Sequence, residues 1–335
     1  MITVKSSYWR LVRWLGRAYM VIIITHSSLL ITHSASAQPL TLVELNCENL
    51  FDCQHDSLKQ DTEWLPTAVR KWTPDRYWRK VNNIGQEIIS CSPDALPDLV
   101  ALVEVENDLV LRDLTRRSLL RNAGYEYLMT ESPDVRGIDV ALLYQPFSFH
   151  PVCYDYLDVQ PLEGMRPTRD ILYVQGETVN SDTLHVFVVH APSRFGGEKV
   201  TRPNRRIVME RMISAIQLLP SDAKVIIAGD FNDYADSPSL QYLEENSLCN
   251  VTREAQGSHG ARGTYRYEGQ WQSIDHVLVS AALCDSVAQT NINDAPFLLE
   301  EDKKYGGIKP FRTYNGYRYQ RGFSDHLPLV VRFRL

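Results

Sequence analysis

The chain has 335 residues, with 35 Lys and Arg against 41 Asp and Glu and a formal net charge of −6. With 44% hydrophobic and 23% charged residues the composition is that of a globular protein, and the acidic balance excludes a protein that coats nucleic acid by bulk attraction, though not one that grips a single phosphate through a local basic patch. Six cysteines without a Cys-x-x-Cys pair speak against a zinc cage or a thioredoxin-like redox site, and read as buried or structurally paired.

Residues 1–37 have the pattern of an export leader. Lys5, Arg10, Arg13 and Arg17 make a basic start, an apolar stretch runs from Ala18 to Ile31, and Ala35-Ser36-Ala37 is a small-x-small cleavage site. The polar Thr25-His26-Ser27-Ser28 interrupts that stretch short of the ~20 apolar residues a spanning helix needs. Cleavage after Ala37 is therefore expected, with a periplasmic or extracellular destination and no integral membrane contact in the mature chain. The leader holds four basic and no acidic residues, so its removal leaves 31 basic against 41 acidic and a charge of −10. Residues 38–335 contain no low-complexity linker and no repeat, and are read as a single domain and a monomer.

Thr41 to Leu45 reads as the first strand. Tyr77, Val81, Ile84 and Ile88 give one apolar helical face, stopped by Pro93 and Pro97 ahead of a strand from Leu99 to Val103. A helix is expected over Leu109 to Leu120, then strands over Tyr125 to Met129 and, as its neighbour, Asp139 to Tyr144. Leu184 to Val189 is a β-branched strand, followed by a helix from about Arg205 to Leu218 and a strand from Lys224 to Ala228 ending at Gly229. Ile274 to Val279 and Leu329 to Phe333 complete the strands. Pro296 to Phe323, rich in Gly, Tyr and Arg, reads as a loop or lid. Apolar runs with helices between some of them indicate an α/β or α+β domain.

Polar residues finish several of these strands: Asn46, Glu104, His190 and Asp230. An imidazole or carboxylate has no energetic reason to end an apolar strand unless it caps, pairs or binds something, so the recurrence points to one cleft that collects them. Asp230-Phe231-Asn232 would present a carboxylate and an amide on one side with Phe231 packed on the other, although the tripeptide alone also reads as a turn. Ser324-Asp325-His326-Leu327-Pro328 precedes the last strand and suits the lip of a site.

In order, the segments Asn46-Cys47-Glu48-Asn49-Leu50-Phe51-Asp52, Leu102-Val103-Glu104-Val105, Arg136-Gly137-Ile138-Asp139-Val140-Ala141-Leu142-Leu143-Tyr144, Val189-His190-Ala191-Pro192-Ser193-Arg194, Gly229-Asp230-Phe231-Asn232, Ile274-Asp275-His276 and Ser324-Asp325-His326-Leu327-Pro328 resemble the motifs of the endonuclease/exonuclease/phosphatase superfamily. The resemblance spans about residues 41 to 328. It implies an α+β fold, a four-layer α/β/β/α sandwich of two packed mixed sheets flanked by helices, with the site at one end of the sheets.

The resemblance also implies a metal-dependent phosphoester hydrolase. Glu104 is the expected main ligand of Mg²⁺ or Mn²⁺, with Asn46 and Asp325 close by and Asp230 and Asn232 completing the pocket; hard oxygen donors suit such ions. His190 and His326 match the family's paired histidines, Asp275 is expected to orient His326, and Asp139 to orient His190. Arg136 and Arg194 are candidate phosphate contacts, and Asn46, Arg136, Asp139 and Arg194 the substrate-binding set. The water is activated by Asp230 or His326, and the leaving group is served by His190 or a metal-held water. The substrate is a phosphodiester or phosphomonoester, with nucleic acid among the candidates. A phosphodiesterase or nuclease leads, a phosphatase or sphingomyelinase-like phospholipase is the alternative, and a silent binding scaffold stands third. Ala191, where many relatives place tryptophan or asparagine, speaks against a DNA-repair role. Two basic stretches are candidate specificity regions: Arg194, Lys199, Arg202, Arg205 and Arg206, and then Lys303, Lys304, Lys309, Arg312, Arg318 and Arg321 interleaved with Tyr305, Tyr314, Tyr317 and Tyr319.

Overall fold

Strand β1 (Pro39–Leu50) alternates between two buried surfaces, with Leu40 and Leu42 entering one apolar cluster and Val43, Leu45 and Cys47 another. A strand covered on both faces belongs at the middle of a layered fold. The computed structural model describes residues 39–335, which form one compact unit; the leader reading falls on residues 1–37, outside the described residues.

After β1 come α1 (Pro74–Ser90), β2 (Leu99–Val105), α2 (Asp108–Arg116), β3 (Glu126–Met129) and β4 (Asp139–Tyr144). Next are β5 (Phe149–Leu157), β6 (Ile171–Thr178), β7 (Thr183–His190), α3 (Glu198–Ile216), β8 (Lys224–Asp230), α4 (Pro238–Glu245) and β9 (Leu248–Asn250). A hairpin of β10 (Tyr265–Tyr267) and β11 (Gln270–Gln272) precedes β12 (Asp275–Ser280) and β13 (Val287–Ile292). Two small hairpins, β14 (Leu299–Glu301) with β15 (Ile308–Pro310) and β16 (Tyr314–Asn315) with β17 (Arg318–Tyr319), lead to β18 (Leu329–Arg334).

The large sheets are six-stranded and mixed, in the orders β13-β18-β1-β2-β4-β3 and β5-β6-β7-β8-β12-β9. Only the pairs β1–β2 and β7–β8 are parallel among the pairs of these sheets. Leu40, Leu42, Leu99, Ala101 and Val103 of the first sheet pack against Leu184, Val186, Val188, Ile226, Ala228 and Val277 of the second. The outer face of the first sheet is covered by α1 and α2 through Val81, Ile84, Ile88, Val110 and Leu114, and that of the second by α3 and α4 through Val208, Met209, Met212 and Leu240. The result is the four-layer α/β/β/α sandwich.

The expected strands are all present, and β3 is indeed the neighbour of β4. Strands β5 and β13 escape a sequence reading because both are sheet edges with few buried residues, so their apolar pattern is faint; the interior strand β6 escapes it as well. The lid reading of residues 296–323 is corrected. Besides its two hairpins, the segment is tied down at several points: Lys80 Nζ donates to Thr313 Oγ1 (2.7 Å), Asn83 Nδ2 to Gly322 O (2.6 Å), and Thr313 N to Glu48 Oε2 (2.6 Å). The ring of Tyr314 packs on Trp64 (5.8 Å) and Trp72 (6.0 Å). Of the cysteines, Cys249 and Cys284 form a disulfide, Cys47 and Cys91 are buried thiols, and Cys53 and Cys153 are free and more accessible. No helix of the described residues is long and apolar enough to cross a membrane.

Candidate active site

Register brings three of the expected residues into a row. Parallel pairing of β7 with β8 sets His190 opposite Asp230, and antiparallel pairing of β8 with β12 sets Asp275 opposite the same Asp230. Each lies an even number of residues from a side chain of the inter-sheet core, Val188, Ala228 and Val277 respectively, so all three side chains face the space between the sheets. Asn46 shares the parity of Leu40 and Leu42 and faces the same space from β1.

Glu104 breaks this rule. It follows the inward-facing Val103, and regular alternation would turn it toward the helices. Instead its φ is +63°, and the β2–β4 register slips between Val103 and Val105, which re-aims the carboxylate at the cleft. Glu48, Asn49 and Asn232 are also left-handed, with φ of +50°, +56° and +51°. Such conformations cost on the order of 1–3 kcal/mol each and persist where surrounding structure enforces them, commonly at sites.

His326 Nδ1 lies 2.8 Å from Asp275 Oδ2, which also accepts from Thr264 Oγ1. Ser324 Oγ donates to the Asn46 carbonyl (2.6 Å) and accepts from His326 N (3.1 Å), so the loop carrying His326 is fastened to β1. Tyr265 packs its ring 4.8 Å from the His326 ring. Asp230 accepts from Asn46 Nδ2 (3.1 Å) and Asn232 N (2.7 Å), and stands 3.7 Å from His190 Nε2. Because Asn46 Oδ1 accepts from Glu48 N (2.9 Å), Asn46 orients Asp230 through its amide nitrogen. Glu104 Oε2 accepts from Asn49 N (2.8 Å), while its Oε1 is 3.4 Å from Arg136 and 3.9 Å from His190. Asp325 pairs with Arg312 Nη2 at 2.6 Å.

Electrostatics differentiate these groups. Burial and the neighbouring Asp275 push the Asp230 carboxyl up to about 7. Burial, with Arg169, Arg136 and His326 nearby, holds His190 well below the ordinary imidazole value. Burial would lower His326 as well, but its contact with Asp275 more than reverses this and leaves it well above that value. For Asp325, burial is outweighed by Arg312, His326 and Lys80, and the carboxyl lies below the usual range. Beneath the row sits Glu44, fully buried without a hydrogen-bond partner and raised by burial, Asp275 and Asp230.

A cleft of ≈ 600 Å³ opens above this layer, lined by Asn46, Glu104, Arg136, His190, Arg194, Asp230, Asn232, Asp325 and His326. Asp275 is buried beneath it. Asp139 is not part of it: its carboxylate accepts from Thr130 Oγ1 (2.7 Å) and Ser132 N (3.0 Å), and His190 Nδ1 has no hydrogen-bond partner. The expected Asp139–His190 pairing therefore does not occur, and Asp139 instead braces the turn that carries Arg136. The basic stretches also resolve differently from the sequence reading. Arg202, Arg205 and Arg206 pair with Glu198, Asp233 and Glu210, and no residue of 296–323 lines the cleft. Sequence reasoning missed Asn49, Phe195, Tyr234, Tyr265, Tyr267 and Gln272 in the lining, and the buried Arg169, which donates to Asp134 (2.7 Å) and the Ala191 carbonyl (3.1 Å). Apart from Asn49, at the left-handed end of β1, these residues sit in loops or short hairpins with no periodic signal. Four carboxylates, Glu104, Asp230, Asp275 and Asp325, converge here, and ligand atoms of Asp230, Asp275 and His326 lie within 4.8 Å of one another, a grouping that could hold a metal ion.

The family model described as "Endonuclease/Exonuclease/phosphatase family" matches residues 41–334. Among solved structures, an endonuclease/exonuclease/phosphatase family protein from Bacteroides thetaiotaomicron is similar at 16% identity and a TM-score of 0.60, covering 89% of this chain and 99% of that one. A mannosyl-6-phosphatase from the same organism gives 16% identity, a TM-score of 0.59 and coverage of 87% and 98%. D. rerio TDP2 complexed with a single strand DNA product gives 16%, 0.53, and 89% and 100%. These likenesses establish a shared fold. No curated protein matches the sequence. With a family match across nearly the whole described chain, the chain belongs to the endonuclease/exonuclease/phosphatase family of phosphoester hydrolases.

Proposed function

We propose that this chain is an exported Mg²⁺- or Mn²⁺-dependent phosphodiesterase that cleaves by in-line attack of water. The observation that carries the reading is the convergence of His190, Asp230, Glu104 and Arg136 on one cleft, with Asp275 buried beneath and holding His326. A phosphodiester repels nucleophiles, so a site must neutralise charge, position water and assist the leaving oxygen.

The donor chemistry fits a hard divalent cation, since carboxylate oxygens crowd the cleft and burial, with repulsion from Asp275, raises Asp230. Glu104 and Asp325 would hold it, with Asp230 and Asn232 completing the pocket. When bound, the ion supplies charge neutralisation of the phosphate and a lowered water pKa. Asp230, oriented by Asn46 and the Asn232 N–H, accepts the proton of the attacking water. His326, kept cationic by Asp275, donates a hydrogen bond to a phosphoryl oxygen, and Arg136 screens the same charge. His190, neutral and buried, hydrogen-bonds on the leaving-group side.

The alternative is a phosphatase acting on a phosphorylated small molecule, as the mannosyl-6-phosphatase of similar fold is named for. The test is turnover of bis(p-nitrophenyl) phosphate by the purified chain with Mg²⁺ or Mn²⁺, lost in EDTA and restored by added metal. Turnover of monoesters alone moves the reading to a phosphatase. No turnover of diester, monoester or sphingomyelin overturns it altogether.

A further inference from the structure

One side of the cleft is built from rings, and the reaction described above uses none of them. Tyr265 and Tyr267 are two apart on β10 and therefore share a face of the β10–β11 hairpin. Gln272, the cross-strand partner of Tyr265, accepts from Arg194 Nη2 at 2.7 Å. The Arg194 guanidinium in turn lies over the ring of Tyr234, 4.3 Å from its centroid. Phe195 follows, 93% exposed at the cleft edge, ahead of Gly196 and Gly197, whose φ of +94° and +113° bend the loop there. All six side chains line the same cleft as His190, Asp230 and His326, and the contact of Tyr265 with the His326 ring joins the two parts.

A phenylalanine that is almost wholly in water beside a polar cleft gains nothing in the free protein; Tyr267 is 55% exposed, and Tyr234, though under Arg194, keeps 37% of its surface open. Their faces, with the flat guanidinium of Arg194, are suited to a planar aromatic ligand. The acidic residue at this edge, Glu198, is already engaged by Arg202 at 2.8 and 2.9 Å, so it does not repel an electron-rich ring. A lipid tail would need a continuous apolar channel, whereas the cleft offers separate ring faces with polar groups between them. Resting on the phosphoesterase reading, we infer that the ring side of the cleft is a nucleobase subsite, and that the substrate is a nucleotide phosphoester whose base stacks among Phe195, Tyr234 and Tyr267 with its phosphate toward His190 and His326. An acidic surface suits a short or single-stranded nucleotide end better than a duplex gripped along its length.

The test is calorimetric binding of two methylenephosphonate analogues to the full chain in Mg²⁺, one of thymidine 5′-phosphate and one of 2-deoxyribose 5-phosphate. In both, a bridging carbon replaces the ester oxygen and blocks hydrolysis. The thymidine analogue is expected to bind about tenfold more tightly or better, and Phe195→Ala and Tyr267→Ala each to reduce that advantage several-fold. Both positions are exposed, so the variants keep the fold. Equal affinity of the two analogues, absence of binding by either, or an advantage that survives the double variant overturns the subsite. Turnover of bis(p-nitrophenyl) phosphate, measured alongside, separates the two readings. Hydrolysis without base preference removes the subsite alone, and base preference without hydrolysis of this diester removes the phosphodiesterase reading alone.

Discussion

Asp275 Oδ2 sits 2.8 Å from His326 Nδ1, although the two residues are 51 positions apart in the chain. The bond fixes which ring nitrogen faces the cleft and favours the charged imidazole. Asp275→Asn is expected to lower kcat on bis(p-nitrophenyl) phosphate by on the order of a hundredfold or more, and His326→Ala by at least as much, with circular dichroism unchanged. Because the two act as a unit, the double variant should be no worse than the poorer single one. Wild-type rates in either single variant would relocate the site.

Glu104 is aimed at the cleft by strained backbone, and its carboxylate has Arg136 and the Asn49 N–H as partners. Glu104→Gln preserves shape and removes the charge. It should cut the rate by about a hundredfold or more and raise the Mg²⁺ concentration needed for half-maximal rate, which a metal titration of activity reads directly.

Asp230, pushed up to about 7 by burial and Asp275, must be ionised to accept a proton. Activity should therefore fall as pH drops through about 7, with a bound cation moving this limb lower because positive charge favours the carboxylate. Asp230→Asn should remove the limb along with most of the rate. A profile of log(kcat/KM) against pH checks this, and a limb that is unaltered in the variant would exclude Asp230 as the base.

Glu87 on α1 is wholly buried, with neither carboxylate oxygen hydrogen-bonded, and burial raises it from 4.5 to about 8. The folded protein therefore holds a proton that the unfolded chain releases. Its stabilising contribution is complete below about 4.5 and is lost as pH rises toward about 8. Glu87→Gln should flatten this dependence and be the more stable form at the alkaline end by on the order of a few kcal/mol, read as Tm against pH. Parallel Tm curves for the two proteins would contradict the assignment.

Gly229 precedes Asp230 where β7 and β8 come together, and a Cβ there would stand 1.9 Å from the Val189 carbonyl oxygen. Its φ of +153° is also foreign to L side chains. Gly229→Ala should destabilise by on the order of 3 kcal/mol and, by parting β7 from β8, reduce activity more than its stability loss explains. Denaturant unfolding together with kcat measures both.

Much of the site is legible in the sequence. His190, Asp230, Asp275 and Asn46 each keep the parity of the inward-facing apolar residues in their own strand, and a two-residue period carries that information locally. The order of the motifs carried the family and, with it, the layers. Glu104 is different, because only the slip against β4 and the left-handed φ turn it to the cleft. The fate of residues 296–323 was equally hidden, since Lys80, Asn83 and Glu48, which pin them, lie more than two hundred positions away. Asp139 looked like a histidine partner from its motif and proved to be a brace for the turn holding Arg136. The sequence by itself thus determined most of the strands, their buried faces and the candidate site residues, because those depend on short-range period and residue chemistry. Only the tertiary structure decided which groups pair, which loops line the cleft and which rings face a substrate, because those depend on contacts between segments far apart in the chain.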